Sequence, residues 1–121
     1  MSVFDTSALL AILRDEPGGS VAHGHLDSEA RCSAAIWSEL AQKLPQLGVY
    51  WPEAREVLIS LGVAVEPVTA ADAEAAAVLW VKGEGLSLAD RLCIALSNRV
   101  GEKIITCDSA WLGRPRVVLV R

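Results

Sequence analysis

Residues 2–13 read SVFDTSALLAIL, and in this stretch a single carboxylate, Asp5, separates two apolar segments. Val3 and Phe4 are typical of the start of a buried strand, and residues 8–13 are entirely apolar. A buried carboxylate without a partner is energetically costly. Asp5 must therefore cap a helix, pair with a base or bind a cation, and the rest of the sequence has to distinguish these roles.

Length and composition predict one folded domain over residues 1–121. Hydrophobic residues make up 52% of the chain and charged residues 21%, which argues against disorder and favours elements buried on two sides. Apolar runs are too short to cross a bilayer and no signal-type N-terminus is present, so we expect a soluble, cytoplasmic protein. The formal net charge of −4 gives no general attraction to nucleic acids.

The cysteines and histidines do not form a metal-binding pattern. Cys32, Cys93 and Cys107 lie among apolar residues without a C-x-x-C pair, so we expect reduced, buried thiols. His23 and His25 are two residues apart and point to different faces of a helix. We therefore expect neither a disulfide nor a zinc site.

Short apolar segments alternate with helical ones along the whole chain. Five such segments are bounded by turn-forming residues and are predicted to be strands: residues 2–5, 31–34, 63–66, 103–107 and 116–120. Because parallel strands need long crossover connections, this alternation predicts an α/β fold, a three-layer sandwich with a five-stranded, mostly parallel sheet flanked by helices. Ligands of such sheets bind beyond the carboxyl ends of the strands, where the strand order reverses. We expect Asp5 there.

Caps and stop residues mark the helices between the strands. The first predicted helix ends after Leu13, and the second runs over about residues 20–27. The third covers residues 34–44 and ends at Pro45, and the fourth runs from Trp51 to Gly62. The last two each follow a capping box: one begins at Thr69–Asp72 and ends near Gly83, and the other begins at Ser87–Asp90 and ends at Gly101.

Three more carboxylates occupy positions as unusual as that of Asp5. Asp108 follows the fourth predicted strand, so in a parallel sheet it emerges at the same edge as Asp5. Asp90 lies near the start of a helix whose next residues must be buried. Glu39 lies beside the apolar stripe of another helix. The predicted fold brings the strand-end acids and the start of the Asp90 helix to one edge of the sheet.

Each acid also has a purely structural explanation. Asp5, Asp90 and Asp108 are each suited to cap a helix or turn, and Glu39 can pair with Lys43 one helical turn away. Carboxylates ~4 Å apart, however, repel by about 4 kcal/mol at an effective dielectric constant near 20, so a cluster of them needs a counter-charge.

A hard divalent cation is the counter-charge that suits these acids. Mg²⁺ or Mn²⁺ prefers an oxygen-rich, histidine-free set of ligands, whereas Zn²⁺ does not. Such an ion binds phosphate oxygens and favours phosphoryl chemistry, and it supplies the positive charge that an acidic protein needs at a polyanion. The predicted catalytic and metal-binding residues are Asp5, Glu39, Asp90 and Asp108.

Four motifs surround these acids in order: VFDTSALL at Asp5, WSELA at Glu39, GLSLADRLCIAL at Asp90 and IITCDSAW at Asp108. Together they resemble the PIN-domain ribonucleases over essentially the whole chain, and most closely the VapC-type toxins of bacterial toxin–antitoxin pairs. The resemblance implies a five-stranded parallel sheet, a Mg²⁺- or Mn²⁺-dependent endoribonuclease and a homodimer. It also implies inhibition by a small antitoxin whose C-terminal segment lies across the acidic pocket and often inserts an arginine.

The resemblance assigns the family's four acidic roles to these same residues, and it matches Thr6 or Ser7 to the hydroxyl commonly found beside the first acid. The chain departs from the family pattern at one position. Many relatives carry a further acid two residues after the fourth, where this chain has Ala110. The resemblance therefore leaves open whether the site holds one metal ion or two.

Three other functions remain open at this point. A haloacid-dehalogenase-like phosphatase needs a second acid two residues after the first, where this chain has Ser7. A receiver-like signalling domain, whose acidic pocket accepts a phosphoryl group, needs paired acids after the first strand and a lysine at the end of the last, whereas Asp5 stands alone and Lys103 precedes its strand. The third is a catalytically inactive PIN fold that serves as a binding module, against which the four acids argue.

Overall fold

A computed structural model describes residues 1–26 and 29–121, and in these residues five strands form one sheet accompanied by six α-helices. The strands are β1 (Ser2–Phe4), β2 (Ala30–Ser33), β3 (Ala64–Glu66), β4 (Lys103–Thr106) and β5 (Val117–Leu119). The helices are α1 (Thr6–Arg14), α2 (Gly19–Gly24), α3 (Ala34–Gln46), α4 (Trp51–Ser60), α5 (Ala70–Val78) and α6 (Leu88–Val100), with a short 3₁₀ turn at Ser109–Trp111. All five predicted strands are confirmed.

The sheet is parallel throughout and has the strand order β3-β2-β1-β4-β5. The chain adds β2 and β3 on one side of β1 and then returns to add β4 on the other side. The strand order therefore reverses between β1 and β4, which is where sheets of this class bind ligands. Asp5 lies at this point, and its amide N–H donates a hydrogen bond of 3.2 Å to the carbonyl of Ile105 in β4.

The central strands are buried on both faces. Successive residues of a strand point to opposite faces of the sheet, and both Val3 and Phe4 of β1 are 0% exposed. Ile104 and Ile105 of β4 are equally buried. Helices α3 and α6 pack on β2, and α1 packs on β4. Burial of both faces confirms the predicted three layers.

The two predicted capping boxes are present and fix where α5 and α6 begin. The hydroxyl of Thr69 accepts the N–H of Asp72 at 3.0 Å, and the carboxylate of Asp72 accepts the N–H of Thr69 at 3.2 Å. Ser87 and Asp90 exchange the same pair of bonds at 3.1 and 3.0 Å. Helix α6 ends at Gly101 in the left-handed conformation, as predicted.

Two predicted helix ends are wrong. Helix α3 continues through Pro45 and ends because Gly48, at φ 80°, closes a Schellman motif. In this motif the N–H of Val49 donates to the carbonyl of Leu44 at 2.9 Å, and the N–H of Gly48 donates to the carbonyl of Pro45 at 3.1 Å. Because proline so close to a helix end costs only one internal hydrogen bond, it does not stop the helix.

Helix α5 ends at Val78, well before Gly83. The chain turns there, so that Leu79 and Leu86 pack against the core. The second predicted helix is observed as α2 over Gly19–Gly24, and the end of its predicted range, residue 27, lies outside the described residues.

The expectation of reduced, buried thiols is confirmed for Cys32, Cys93 and Cys107. Burial raises the pKa of Cys32 to about 12, so this thiol stays protonated at neutral pH. In the described part of the chain, no helix has both the length and the apolar character needed to span a membrane.

The loop before α2 depends on the absence of a side chain at Gly18. Its φ is +89°, and a Cβ there would lie 2.8 Å from the carbonyl oxygen of Val120. Gly83 has a similar φ of +80°, but a Cβ there would meet nothing within 4 Å.

We expect Gly83→Ala to lower the free energy of unfolding by about 1–2 kcal/mol through backbone strain alone. Gly18→Ala should lower it by a further ~1–3 kcal/mol, because the added methyl group overpacks against Val120. Urea titration of both variants measures the difference, and equal losses would contradict the close approach.

Candidate active site

Four carboxylates from four different elements line one pocket of about 290 Å³ at the carboxyl edge of the sheet. They are Asp5 at the junction of β1 and α1, Glu39 within α3, Asp90 in the first turn of α6 and Asp108 between β4 and the 3₁₀ turn. The pocket also contains Thr6, Ser7, Ser87 and Lys43. The structure thus brings together every site residue that was predicted from the sequence.

Asp5 is the most deeply buried of the four acids, with 3% of its surface exposed. Its Oδ1 accepts the N–H of Ala8 at 2.9 Å and thereby caps α1. The hydroxyl of Ser7 donates to the same carboxylate at 2.8–2.9 Å, and the hydroxyl of Thr106 donates to Oδ2 at 2.6 Å. The capping explanation is therefore correct for Asp5, and it accounts for only part of its surroundings.

Burial raises the pKa of Asp5 from its ordinary value of 3.8 to about 6. The hydrogen bonds from Thr106, Ala8 and Ser7 lower this pKa, but together they do not offset the cost of desolvation. The nearby negative charge of Asp90 raises it further. The pocket therefore holds more negative charge than its own hydrogen bonds stabilise.

Thr106 connects the two strand-end acids and was not identified from the sequence. Its hydroxyl donates to Asp5 and accepts the N–H of Asp108 at 2.9 Å. Ser7 bridges the same strands, since it donates to Asp5 and accepts the N–H of Cys107 at 2.9 Å. The sequence could have pointed to Thr106, because it is a hydroxyl residue two positions before Asp108, at the end of an otherwise apolar strand.

The other three acids use one carboxylate oxygen each for local hydrogen bonds. Asp90 accepts the N–H of Ser87, Asp108 accepts the N–H of Ala110 at 2.9 Å, and Glu39 accepts the hydroxyl of Thr6. Their second oxygens have no partner among the described residues. These bonds confirm the capping explanations of Asp90 and Asp108 while leaving oxygens free to bind a ligand.

No ion pair within the described residues supplies the expected counter-charge. Within residues 1–26 and 29–121, none of the four acids forms an ion pair, and the alternative pairing of Glu39 with Lys43 is not present although both line the pocket. Lys43 is thus near the acids without forming an ion pair with any of them in the described part of the chain.

The donor set suits a hard divalent cation. Among the described residues that line the pocket, the side chains able to ligate a metal are carboxylates and hydroxyls, without histidine or cysteine, and Lys43 lies beside them. In the same described residues, no three acidic, histidine or cysteine side chains already lie close enough together to hold a metal ion. The residue chemistry fits Mg²⁺ or Mn²⁺, and binding requires the more exposed carboxylates to move toward Asp5.

Sequence comparison matches residues 2–115 to the PIN domain family. No curated protein sequence is significantly similar to this chain. Among solved structures, a toxin–antitoxin complex from Klebsiella pneumoniae aligns with a TM-score of 0.79 and 18% identity, covering 100% of this chain and 98% of that one. VapC20 from Mycobacterium tuberculosis, described as a sarcin–ricin loop cleaving toxin, aligns with a TM-score of 0.73 and 22% identity, covering 90% and 91%. At these identities the structural likeness establishes the fold.

Replacing Thr106 by Val removes a hydrogen bond that stabilises ionised Asp5. We expect the pKa of Asp5 to rise above its value in the parent, because the Thr106 bond lowers it. Thr106→Ser keeps the hydroxyl and should leave this pKa nearly unchanged. Carboxyl carbon chemical shifts followed by NMR across a pH titration without divalent ions measure both variants. An unchanged pKa in Thr106→Val would show that the Thr106 bond does not act on Asp5.

The raised pKa of Asp5 makes the stability of the metal-free protein depend on pH. Between the ordinary value of 3.8 and about 6, the native state keeps a proton that the unfolded state has lost, so stability falls as pH rises. The full loss is about 3 kcal/mol above pH ~6. Asp5→Asn lacks this titration, so its stability relative to the parent should increase by about 2 kcal/mol from pH 4 to pH 7.

Urea unfolding in EDTA at several pH values measures this dependence. The same replacement at exposed Asp15, at the other end of α1, controls for the change in net charge. A constant difference between Asp5→Asn and the parent across this pH range would contradict the raised pKa.

Proposed function

Because the chain belongs to the PIN domain family, we propose that it is a divalent-metal-dependent endoribonuclease that hydrolyses RNA phosphodiester bonds. One observation carries this proposal: four carboxylates from separate elements line a single pocket, and none of them is neutralised by an ion pair within the described residues. A phosphodiesterase that uses a hard cation needs this combination of oxygen ligands and uncompensated negative charge.

Asp5, Glu39, Asp90 and Asp108 are the residues proposed to hold Mg²⁺ or Mn²⁺ and to carry catalysis. When bound, the ion polarises the phosphate, lowers the pKa of water and stabilises the leaving oxygen. Asp5 would have to be ionised to hold a cation, and its raised pKa of about 6 restricts that state to pH values above about 6. Thr106 and Ser7 hold the Asp5 carboxylate in a fixed orientation from two sides. Thr6 does the same for Glu39.

The partners proposed for the chain are RNA and an antitoxin. The two similar structures are described as a toxin–antitoxin complex and as a toxin that cleaves an RNA loop, which supports a toxin role for this chain. An antitoxin segment carrying an arginine would supply the positive charge that the acidic pocket lacks. A homodimer is proposed on the family resemblance. With Ala110 two residues after the fourth acid, one metal ion is proposed rather than two.

We expect Asp5→Asn to abolish RNA cleavage while the protein remains folded, because the lost charge acts on the cation and not on the core. Asp15→Asn is the matched control and should cleave at the parent rate. EDTA should stop cleavage by the parent, and added Mg²⁺ or Mn²⁺ should restore it. Gel analysis of cellular RNA incubated with each purified protein, with circular dichroism as the check on folding, measures these outcomes.

Two results of this assay would reject the proposal in different ways. Cleavage by Asp5→Asn at the parent rate would remove Asp5 from the catalytic set. A parent protein that binds RNA in Mg²⁺ and Mn²⁺ without cleaving it would favour the inactive binding module.

A further inference from the structure

A second cavity, of about 380 Å³, adjoins the acidic pocket, and the metal chemistry proposed above does not account for it. The two cavities share Ser7, Leu10 and Asp108 in their walls. These shared residues place the second cavity directly beside the acidic pocket at the carboxyl edge of the sheet. A polymer with a phosphate in the acidic pocket would have its neighbouring residue in the second cavity.

The two walls of the second cavity differ in chemistry. Leu10, Ala11 and Pro17 give the cavity an apolar wall, and its polar lining includes the acids Glu16 and Asp108 together with Ser109 and the basic residue Arg121. An apolar wall beside a cation is suited to a nucleotide, which presents a flat base and a charged phosphate. The volume lies within the range of small-molecule binding sites.

Arg121 is available to bind an anion. It forms no hydrogen bond or ion pair with any residue in the described part of the chain. Glu16, an acid in the same cavity, is instead paired with Arg14 at 2.9 Å. In a protein whose net charge is −4, Arg121 is thus a basic side chain without a partner among the described residues, in a cavity next to the acidic pocket.

The apolar wall is built from a loop that is held in place before any ligand binds. The N–H of Glu16 donates to the carbonyl of Ala11 at 3.0 Å, and the N–H of Gly19 donates to the carbonyl of Glu16 at 2.9 Å. Gly18 packs so closely on Val120 that a Cβ would lie 2.8 Å from its carbonyl oxygen. The cavity is therefore largely preformed, which lowers the entropic cost of binding.

We propose that this second cavity binds the nucleotide next to the cleaved bond of single-stranded RNA, with Arg121 contacting its phosphate. The inference rests on the proposed function, because it places the cleaved phosphate in the acidic pocket. Arg121 is a binding residue in this scheme and does not touch the reacting atoms.

The test compares Arg121→Gln with Arg121→Lys, and Arg55→Gln serves as the matched control on the exposed face of α4. The probe is a short labelled single-stranded RNA of mixed sequence. Binding of this RNA is measured with proteins that also carry Asp5→Asn, in which cleavage is not expected. The values of kcat and KM are measured in Mg²⁺ with proteins that keep Asp5. Arg121→Gln should weaken RNA binding about tenfold and raise KM about tenfold, which is the effect of losing one charge-assisted hydrogen bond. Its kcat should stay within about twofold of the parent value.

Two further readouts separate a phosphate contact from a structural effect. Arg121→Lys should recover part of the lost affinity, because it keeps the charge. The slope of log affinity against log salt should become shallower by about 0.7 in Arg121→Gln, the value for one phosphate contact to a single strand. Arg55→Gln should match the parent in affinity and in slope.

The outcomes distinguish this inference from the proposed function. If Arg121→Gln binds RNA as tightly as its parent, the cavity binds something other than RNA and the inference is overturned, while cleavage that depends on Asp5 still supports the nuclease. If the parent binds RNA but does not cleave it, the nuclease proposal fails, and the affinity of Arg121→Gln still decides the role of the cavity. If the parent does not bind this RNA, both are overturned.

Discussion

The structure depends on one buried carboxylate at the point where the first strand becomes the first helix. Asp5 caps α1 through Ala8, and its carboxylate also accepts hydroxyls from α1 and β4. The same side chain therefore starts a helix, joins the two central strands and places a negative charge in a pocket. Because burial disfavours that charge, the folded protein carries an electrostatic cost in this pocket that a cation would relieve.

The structural and functional explanations of the acids do not exclude each other. Asp90 and Asp108 cap the elements that follow them, and this bond fixes one oxygen of each side chain while the other stays free. Capping therefore also serves to aim a carboxylate at the pocket. The carboxylate and hydroxyl oxygens around the four acids, without histidine or cysteine among the described lining residues, are the ligands that a hard divalent cation prefers.

Sequence patterns predicted what depends on local composition. Short apolar runs predicted the strands, and capping boxes predicted the starts of α5 and α6. Both patterns involve only a few consecutive residues, so they can be recognised in the sequence alone. The predicted ends of α3 and α5 were wrong. Helix α3 continues through Pro45 and ends at the Gly48 motif. Helix α5 ends early, where the chain turns and Leu79 and Leu86 pack against the core. Thr106 and the second cavity were missed because they depend on strands that are adjacent in space and distant in sequence.

The hydrogen bond between Thr106 and Asp5 joins residues 101 positions apart. The first strand of the chain is the centre of the sheet, and it lacks one of its two neighbours until β4 has been made. A chain still being synthesised on the ribosome, with β4 not yet available, thus contains Asp5 and Glu39 but has neither the Thr106 bond nor the Asp108 side of the pocket. Assembly of the complete pocket consequently has to wait until β4 has been synthesised and has paired with β1.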